Sequence, residues 1–331
     1  MTGLEIMKEI ADISNTFKSC HLEAIKWDNE YIDKLYDLVS SLKLEYFKFN
    51  YKDVVEEIAC CFEFNNLPPV TYCDVYTTSF SSITIFIVHG KSKIPLHNHP
   101  NMYGYLKVLD GGISLKSYSI VEKNFDKYIE GLMNKQLNNN DTENVSEINL
   151  ELDNYRLNKT YDKYPSTILK SRNDGLEKHR PFNVPITVIK NIDLKVVTNK
   201  NKPIFFTPYH SNIHSISVSP ENDYAIFIDV LMPPYDMVIR DCTYYNLHHI
   251  TWITPQPSLK EESSNQDSNS SISDDSDMEY LDTLAYHEIL KRKVNLTPRP
   301  PPEYFWTNTL QNEKILQVKQ EIIKHHGENI M

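Results

Sequence analysis

Apolar residues in the first sixty positions recur every three or four residues. ISNTFKSCHLEAI, NEYIDKLYDLVSSLKL and DVVEEIACCFEF each put them on one side of a 3.6-residue repeat, which predicts helices over residues 3–64, with Asp28 or Asn29 capping the second. NLPPV ends that pattern, because Pro68 and Pro69 force extended backbone. From Val70 the texture becomes that of short strands. VTYCDVYTTSF, SITIFIVHG, GYLKVLDGG and GISLKSYSI are rich in β-branched and aromatic residues and are broken by Gly or Pro. Gly90, Gly104, Gly111 and Gly112, half of the eight glycines, fall in this stretch and predict tight turns.

Residues 121–202 lose the pattern. QLNNNDTENVSEINLELDN is polar and asparagine-rich and reads as a solvated insertion, with VPITVIKNIDLKVVTNK returning at its end as a strand pair. Strand texture resumes in PIFFTPYHSNIHSISV, DYAIFIDVLMPPYD and DCTYYNLHHITWI. KEESSNQDSNSSISDDSDM then holds too little apolar surface to repay its ordering entropy, and TLQNEKILQVKQEIIKHHG predicts a final helix. The expected organisation is a helical region at 1–66, a β domain at 67–254 interrupted at about 121–202, a disordered acidic tract at 255–280, and a C-terminal segment with a helix at 281–331. Many short strands in two blocks, 70–120 and 184–254, point to a β-sandwich or small barrel.

Charge and cysteine content narrow the function. A formal charge of -11 and a pI near 5.6 offer no basic face to phosphates, so a nucleic-acid binder is not expected. No apolar run reaches bilayer length, and MTGLEIMKEIADI has neither a signal peptide's order nor the glycine of a myristoylation signal. Five cysteines, odd in number and without a C-x-x-C pair, read as reduced thiols of a cytosolic or nuclear protein.

The chemistry concentrates in PLHNHP. On an extended strand His97 and His99 point to one face and can offer two imidazoles to one metal. His214, in TPYHSNIHSI, would add a third from another strand and leave the opposite face open, as a catalytic site requires. Asp229 lies among apolar strand residues, where a carboxylate is costly unless paired. Cys242 and Tyr244, at i and i+2, share a strand face, and Tyr235 follows a double proline.

NLPPVTY, KIPLHNHPNMYGYLKVLDG, TPYHSNIH, AIFIDVLMPPYD and RDCTYY, in that order, resemble the cysteamine dioxygenase and plant cysteine oxidase family of thiol dioxygenases, with a weaker echo at EYFW. The resemblance implies an all-β core of the cupin kind, a double-stranded β-helix or jelly-roll barrel, with added N- and C-terminal helices. It implies ferrous iron, Fe(2+), held by His97, His99 and His214. Most cupins add a glutamate a few residues after the His pair. Tyr103 and Gly104 stand there in this chain, which suits a three-histidine site. Asn98 and Asn101 depart from the Asp and Gly that the family carries at those places. On the resemblance, Asp229 would meet a substrate ammonium or a ligand-bound water, though a salt-bridge or turn-capping role is also open. Tyr235 would put its hydroxyl in the pocket or simply pack. Cys242 and Tyr244 would couple into a thioether or remain a buried cysteine and a core tyrosine. The implied reaction adds both atoms of O2 to the sulfur of cysteamine or of an N-terminal cysteine on a peptide or protein, giving a sulfinate, with a role in oxygen sensing and the protein acting as a monomer. A cupin dioxygenase of a carbon substrate and a catalytically idle interaction module are the alternatives.

Overall fold

The computed structural model describes residues 2–22, 29–61, 67–120, 185–191, 194–208, 210–236, 240–249 and 293–328. Most of the expected insertion and the whole acidic tract lie outside these residues. The predicted helices form: α1 is Gly3–Leu22, α2 Asn29–Ser41, α3 Tyr51–Cys61 and α4 Glu313–Glu328, with a 3-10 turn at Leu44–Phe47. Their starts are written locally. Thr2 and Glu5 make a reciprocal capping box at α1, Asn50 accepts the Asp53 amide at α3, and Asn312 accepts the Lys314 amide at α4.

Among the described residues, twelve strands follow in chain order: β1 Val70–Thr77, β2 Ser82–His89, β3 Lys93–Asn98, β4 Tyr103–Ile120, β5 Ile186–Lys190, β6 Leu194–Thr198, β7 Ile204–Phe206, β8 Ile213–Val218, β9 Tyr224–Met232, β10 Tyr244–His249, β11 Lys293–Arg299 and β12 Thr307–Thr309. One sheet runs β12-β1-β2-β9-β4, with β7 also on β4. The other contains β3, β8, β10, β11, β5, β6 and the far half of β4. β4, 18 residues long, serves both sheets. Its register shifts between Val108 and Asp110, beside Gly111 at φ 68, where a Cβ would stand 2.2 Å from the Tyr224 carbonyl oxygen.

The period of two separates the faces. Ile83, Ile85 and Ile87 of β2 and Ile226, Ile228 and Val230 of β9 pack outward under α1, α2, α3 and α4, in a cluster with Ile10, Leu35, Val54 and Ile322. The intervening residues Phe86, Val88, Ala225 and Phe227 face the other sheet and meet Ile94, Leu115 and Ile216. The second sheet also curls: β4-β5-β11-β10-β3-β8 returns to β4 and closes a ring. Tyr118, Val188, Ile213, Tyr245, Val294 and Leu296 form a small separate core there. β11 and β12 come from the region beyond the acidic tract, which carries no strand pattern of its own, yet they pair within the two sheets.

Candidate metal centre

Strand register assembles the histidines. His97 on β3 pairs with His214 on β8 and with Tyr244 on β10, and Ser117 of β4 lies across from His214. His99 follows one residue past the end of β3 and returns to the same side as His97. All three side chains are buried, and one nitrogen from each lies within 4.8 Å of the others.

The outer nitrogens are all taken. His97 Nδ1 donates to the Pro95 carbonyl at 2.8 Å, His214 Nδ1 to the Ser211 carbonyl at 3.2 Å, and His99 Nδ1 to the Tyr235 hydroxyl at 2.9 Å. With every Nδ1 serving as donor, each Nε2 is left with a bare lone pair aimed inward. The Nε2 atoms of His99 and His214 then face each other at 3.1 Å. Two lone pairs repel at that distance unless a cation lies between them. Nitrogens bound at about 2 Å to one ion are spaced in this way. Burial also keeps the imidazoles neutral: it lowers His97 to about 4 and His214 to about 3, and it holds His99 well below its ordinary value with help from the other two rings. Neutral imidazole is the ligating form. The residues therefore fit a divalent metal, held on one face.

Among the described residues no carboxylate joins this group. The place on β4 from which one would reach inward is Gly104, and the Phe206 ring fills its empty side: a Cβ there would stand 2.1 Å from Phe206 Cζ. Phe206 is buried and presses on the rings of His99 and His214, with centroids 4.6 and 5.3 Å away. Asn101, the departure from the family's glycine, has φ 56. Asparagine tolerates this left-handed conformation better than most residues, so the substitution leaves the loop intact.

The other predicted residues gather around the triad. Tyr235 donates its hydroxyl to the Asn98 carbonyl at 2.7 Å while accepting the His99 proton, so it orients the His99 ring. Cys242 hydrogen-bonds to the phenols of both Tyr235 and Tyr244, and burial raises its thiol to about 12. The Tyr244 ring lies 6.3 Å from that of His97. Asp229 is buried on the inward face of β9, in register with Thr84 and Leu106, and its charge bears on Tyr235. Burial pushes its carboxyl well above the usual range, and its Oδ1 has no hydrogen-bond partner. An unpartnered buried oxygen of this kind is a cost to stability. His210, four residues before His214, instead meets Ser119 at 3.2 Å.

Sequence reading missed the supports. Asn212 grips the backbone of His99 from both sides, accepting its amide at 3.2 Å and donating to its carbonyl at 2.6 Å. Asn98 exchanges bonds with Thr243 and donates to Tyr245, tying β3 to the segment that carries Cys242 and Tyr244. These contacts span more than a hundred residues, and no local spacing in the sequence announces them.

The strand pairing and the triad together define a cupin, a double-stranded β-helix with a three-histidine candidate metal centre. Residues 38–154 and 157–287 match the family model PCO_ADO, and the chain belongs to that family. Human "2-aminoethanethiol dioxygenase" is 27% identical over 183 residues, covering 55% of this chain and 54% of the relative. "Plant cysteine oxidase 1" of Arabidopsis thaliana is 41% identical over 59 residues, 18% of this chain and 20% of the relative. The chain thus spans about half the length, or less, of these curated relatives. Among solved structures, a double-stranded β-helix protein of Klebsiella pneumoniae aligns at a TM-score of 0.24 and 11% identity, covering 52% of this chain and 79% of that one. A cupin superfamily protein of Desulfitobacterium hafniense gives 0.24 and 8%, covering 52% and 84%.

Proposed function

We propose that this protein is an iron(II) thiol dioxygenase that adds both atoms of O2 to the sulfur of an aminothiol, either cysteamine or an N-terminal cysteine, to give a sulfinate. One observation carries the reading: three buried neutral imidazoles turn their Nε2 lone pairs on one point, in a member of the PCO_ADO family. His97, His99 and His214 would hold the iron. Bound there with its full double charge, ferrous iron would attract a thiolate and supply the redox path from sulfur to dioxygen. Thiol and dioxygen together account for every atom and all four electrons of the sulfinic acid, so no outside reductant is needed.

The chain's own groups do the rest. Pro95, Ser211 and Tyr235 hold the Nδ1 protons and fix the rings. The Asp229 carboxyl, whose proton burial favours, would hold a proton at its unpartnered Oδ1, or would give that proton up and pair as a carboxylate with a substrate ammonium. Phe206 and the apolar inner face keep water from the reacting sulfur. Cys242 and Tyr244, whose thiol and phenol interact, would couple into a thioether with loss of two hydrogens to an oxidant such as O2, or remain a buried cysteine and a core tyrosine. Oxidation of protein N-termini would make oxygen supply a signal.

The test uses protein loaded with iron(II) without air and then exposed to oxygen. Cysteamine and a peptide beginning with cysteine are offered in parallel, and mass spectrometry follows the gain of two oxygen atoms. Oxidation of either, abolished by His214→Ala, is expected. Iron uptake at the triad with neither thiol oxidised would rule the proposal out.

A further inference from the structure

Ser211 has a left-handed backbone, φ 52, although it is not glycine, and it is buried. A side chain other than glycine keeps this conformation only where its surroundings enforce it. The consequence of the twist is chemical: it aims the Ser211 carbonyl at His214 Nδ1. The enforcing group is Asn191, just past β5. Its Nδ2 donates both protons, one to Ser211 Oγ and one to Ser117 Oγ, each at 3.0 Å. Its Oδ1 accepts the Ser119 hydroxyl at 2.9 Å, and its amide donates to the Ser117 carbonyl at 2.9 Å. Ser119 Oγ in turn accepts the Ser211 amide at 3.2 Å. Every polar atom of the Asn191 side chain is thus committed, and the group grips Ser211 at both amide and hydroxyl, directly and through Ser119. Ser117 is the residue paired across from His214, so the same amide holds the strand beneath the imidazole and the turn beside it.

We propose that Asn191 is a positioning residue for the metal centre: through Ser211 it fixes the tautomer and direction of His214 so that Nε2 faces His97 and His99. The inference rests on reading the triad as a metal site. It does not touch the metal itself, and nothing in the local sequence around Asn191 links it to a histidine more than twenty residues away.

The experiment is a titration of the metal-free full chain with Co(2+), an air-stable probe for iron(II), followed by visible absorption, with thermal unfolding in parallel. Asn191→Ala is expected to weaken Co(2+) binding about 10–100-fold, the usual effect of losing a group that orients a ligand. Adding Ser211→Gly should recover part of that loss, because glycine adopts the left-handed conformation without being held there. His214→Ala serves as the reference. If His214→Ala leaves Co(2+) binding unchanged, the metal reading fails and this inference with it. If His214→Ala abolishes binding while Asn191→Ala lowers only the melting temperature, or if Ser211→Gly restores nothing, Asn191 is an ordinary structural residue and the inference alone is overturned.

Discussion

Gly104→Ala adds a single methyl group and should disturb the metal centre from a strand that contributes no ligand. The new Cβ would lie 2.1 Å from Phe206 Cζ and 2.4 Å from Cε2. Ordinary carbon contacts sit near 3.5–4.0 Å, so the ring must move by about 1.5 Å. It has nowhere to go: Met102 and Leu231 are packed with it, and the His99 ring, 4.6 Å from it, belongs to the triad. Overpacking of this kind costs about 1–3 kcal/mol, against which alanine recovers about 0.5–1 kcal/mol of glycine's strand penalty. The expected net loss is about 1–2 kcal/mol, or roughly 2–4 °C per kcal/mol in melting temperature. Because the displaced ring leans on His99 and His214, Co(2+) affinity should fall as well. The second substitution Phe206→Leu should relieve both defects, giving a double variant closer to wild type than Gly104→Ala alone. The assays are thermal unfolding of the metal-free protein and Co(2+) titration on wild type, Gly104→Ala and the double variant. A Gly104→Ala protein with unchanged affinity, or a defect that Phe206→Leu deepens, would show that the ring is not the link between β4 and the ligands.

Two further outcomes follow from buried titratable groups. His89, which meets Thr71 at 2.8 Å and Tyr51 at 3.3 Å, is lowered by burial from 6.5 to about 4. The unfolded chain binds the extra proton first, so this stability is complete above pH 6.5 and lost as pH falls toward 4, about 2 kcal/mol of it by pH 5. Urea unfolding at pH 7.5 and 5 should show wild type losing more than His89→Gln, and equal losses would refute the assignment. Asp229 carries the opposite sign: its folded value is raised, so its contribution is present below the unfolded carboxylate range and lost as pH rises through the folded value. Metal-free Asp229→Asn should therefore melt no lower than wild type at pH 7.5, with an advantage that shrinks in acid, while turnover of thiol by the iron-loaded variant collapses. A variant that unfolds early and still turns over would reverse both halves of the argument.

The sequence displayed whatever depends on short range. Period-three apolar spacing located α1, α2, α3 and α4, and alternation with glycine punctuation located most strands before Ile120. The His97 and His99 pair was legible because a strand puts i and i+2 on one face, and the motif order pointed to His214 over His210. Other features depend on distant partners. β11 and β12 sit in KVNLTPRPPPEYFWTNT, where prolines hide the pattern, and they become strands because β10, β5 and β1 offer open edges. Tyr235 could be placed in the pocket from its position after two prolines, but its bond to His99 could not, since it arises only when β9 returns past the end of β3. Asn212 and Asn191 were invisible for the same reason: a buried amide is matched to backbone groups across the fold, and no spacing announces them.

The parallel pairing of β12 with β1 carries a consequence for how a nascent chain matures. Thr307 lies beside Val70, so the outer rim of the first sheet waits through well over two hundred residues of synthesis before its partner emerges. During that interval β1 presents unpaired amides and carbonyls, the kind of rim that recruits stray strands from other chains. Tyr244, which flanks His97, likewise meets Arg299 only after the intervening tract has left the ribosome. Contacts this distant in sequence slow folding. Metal capture should thus be a late event in biosynthesis, and dependence on chaperones should last until residues 293–309 have emerged, well after the histidines appear.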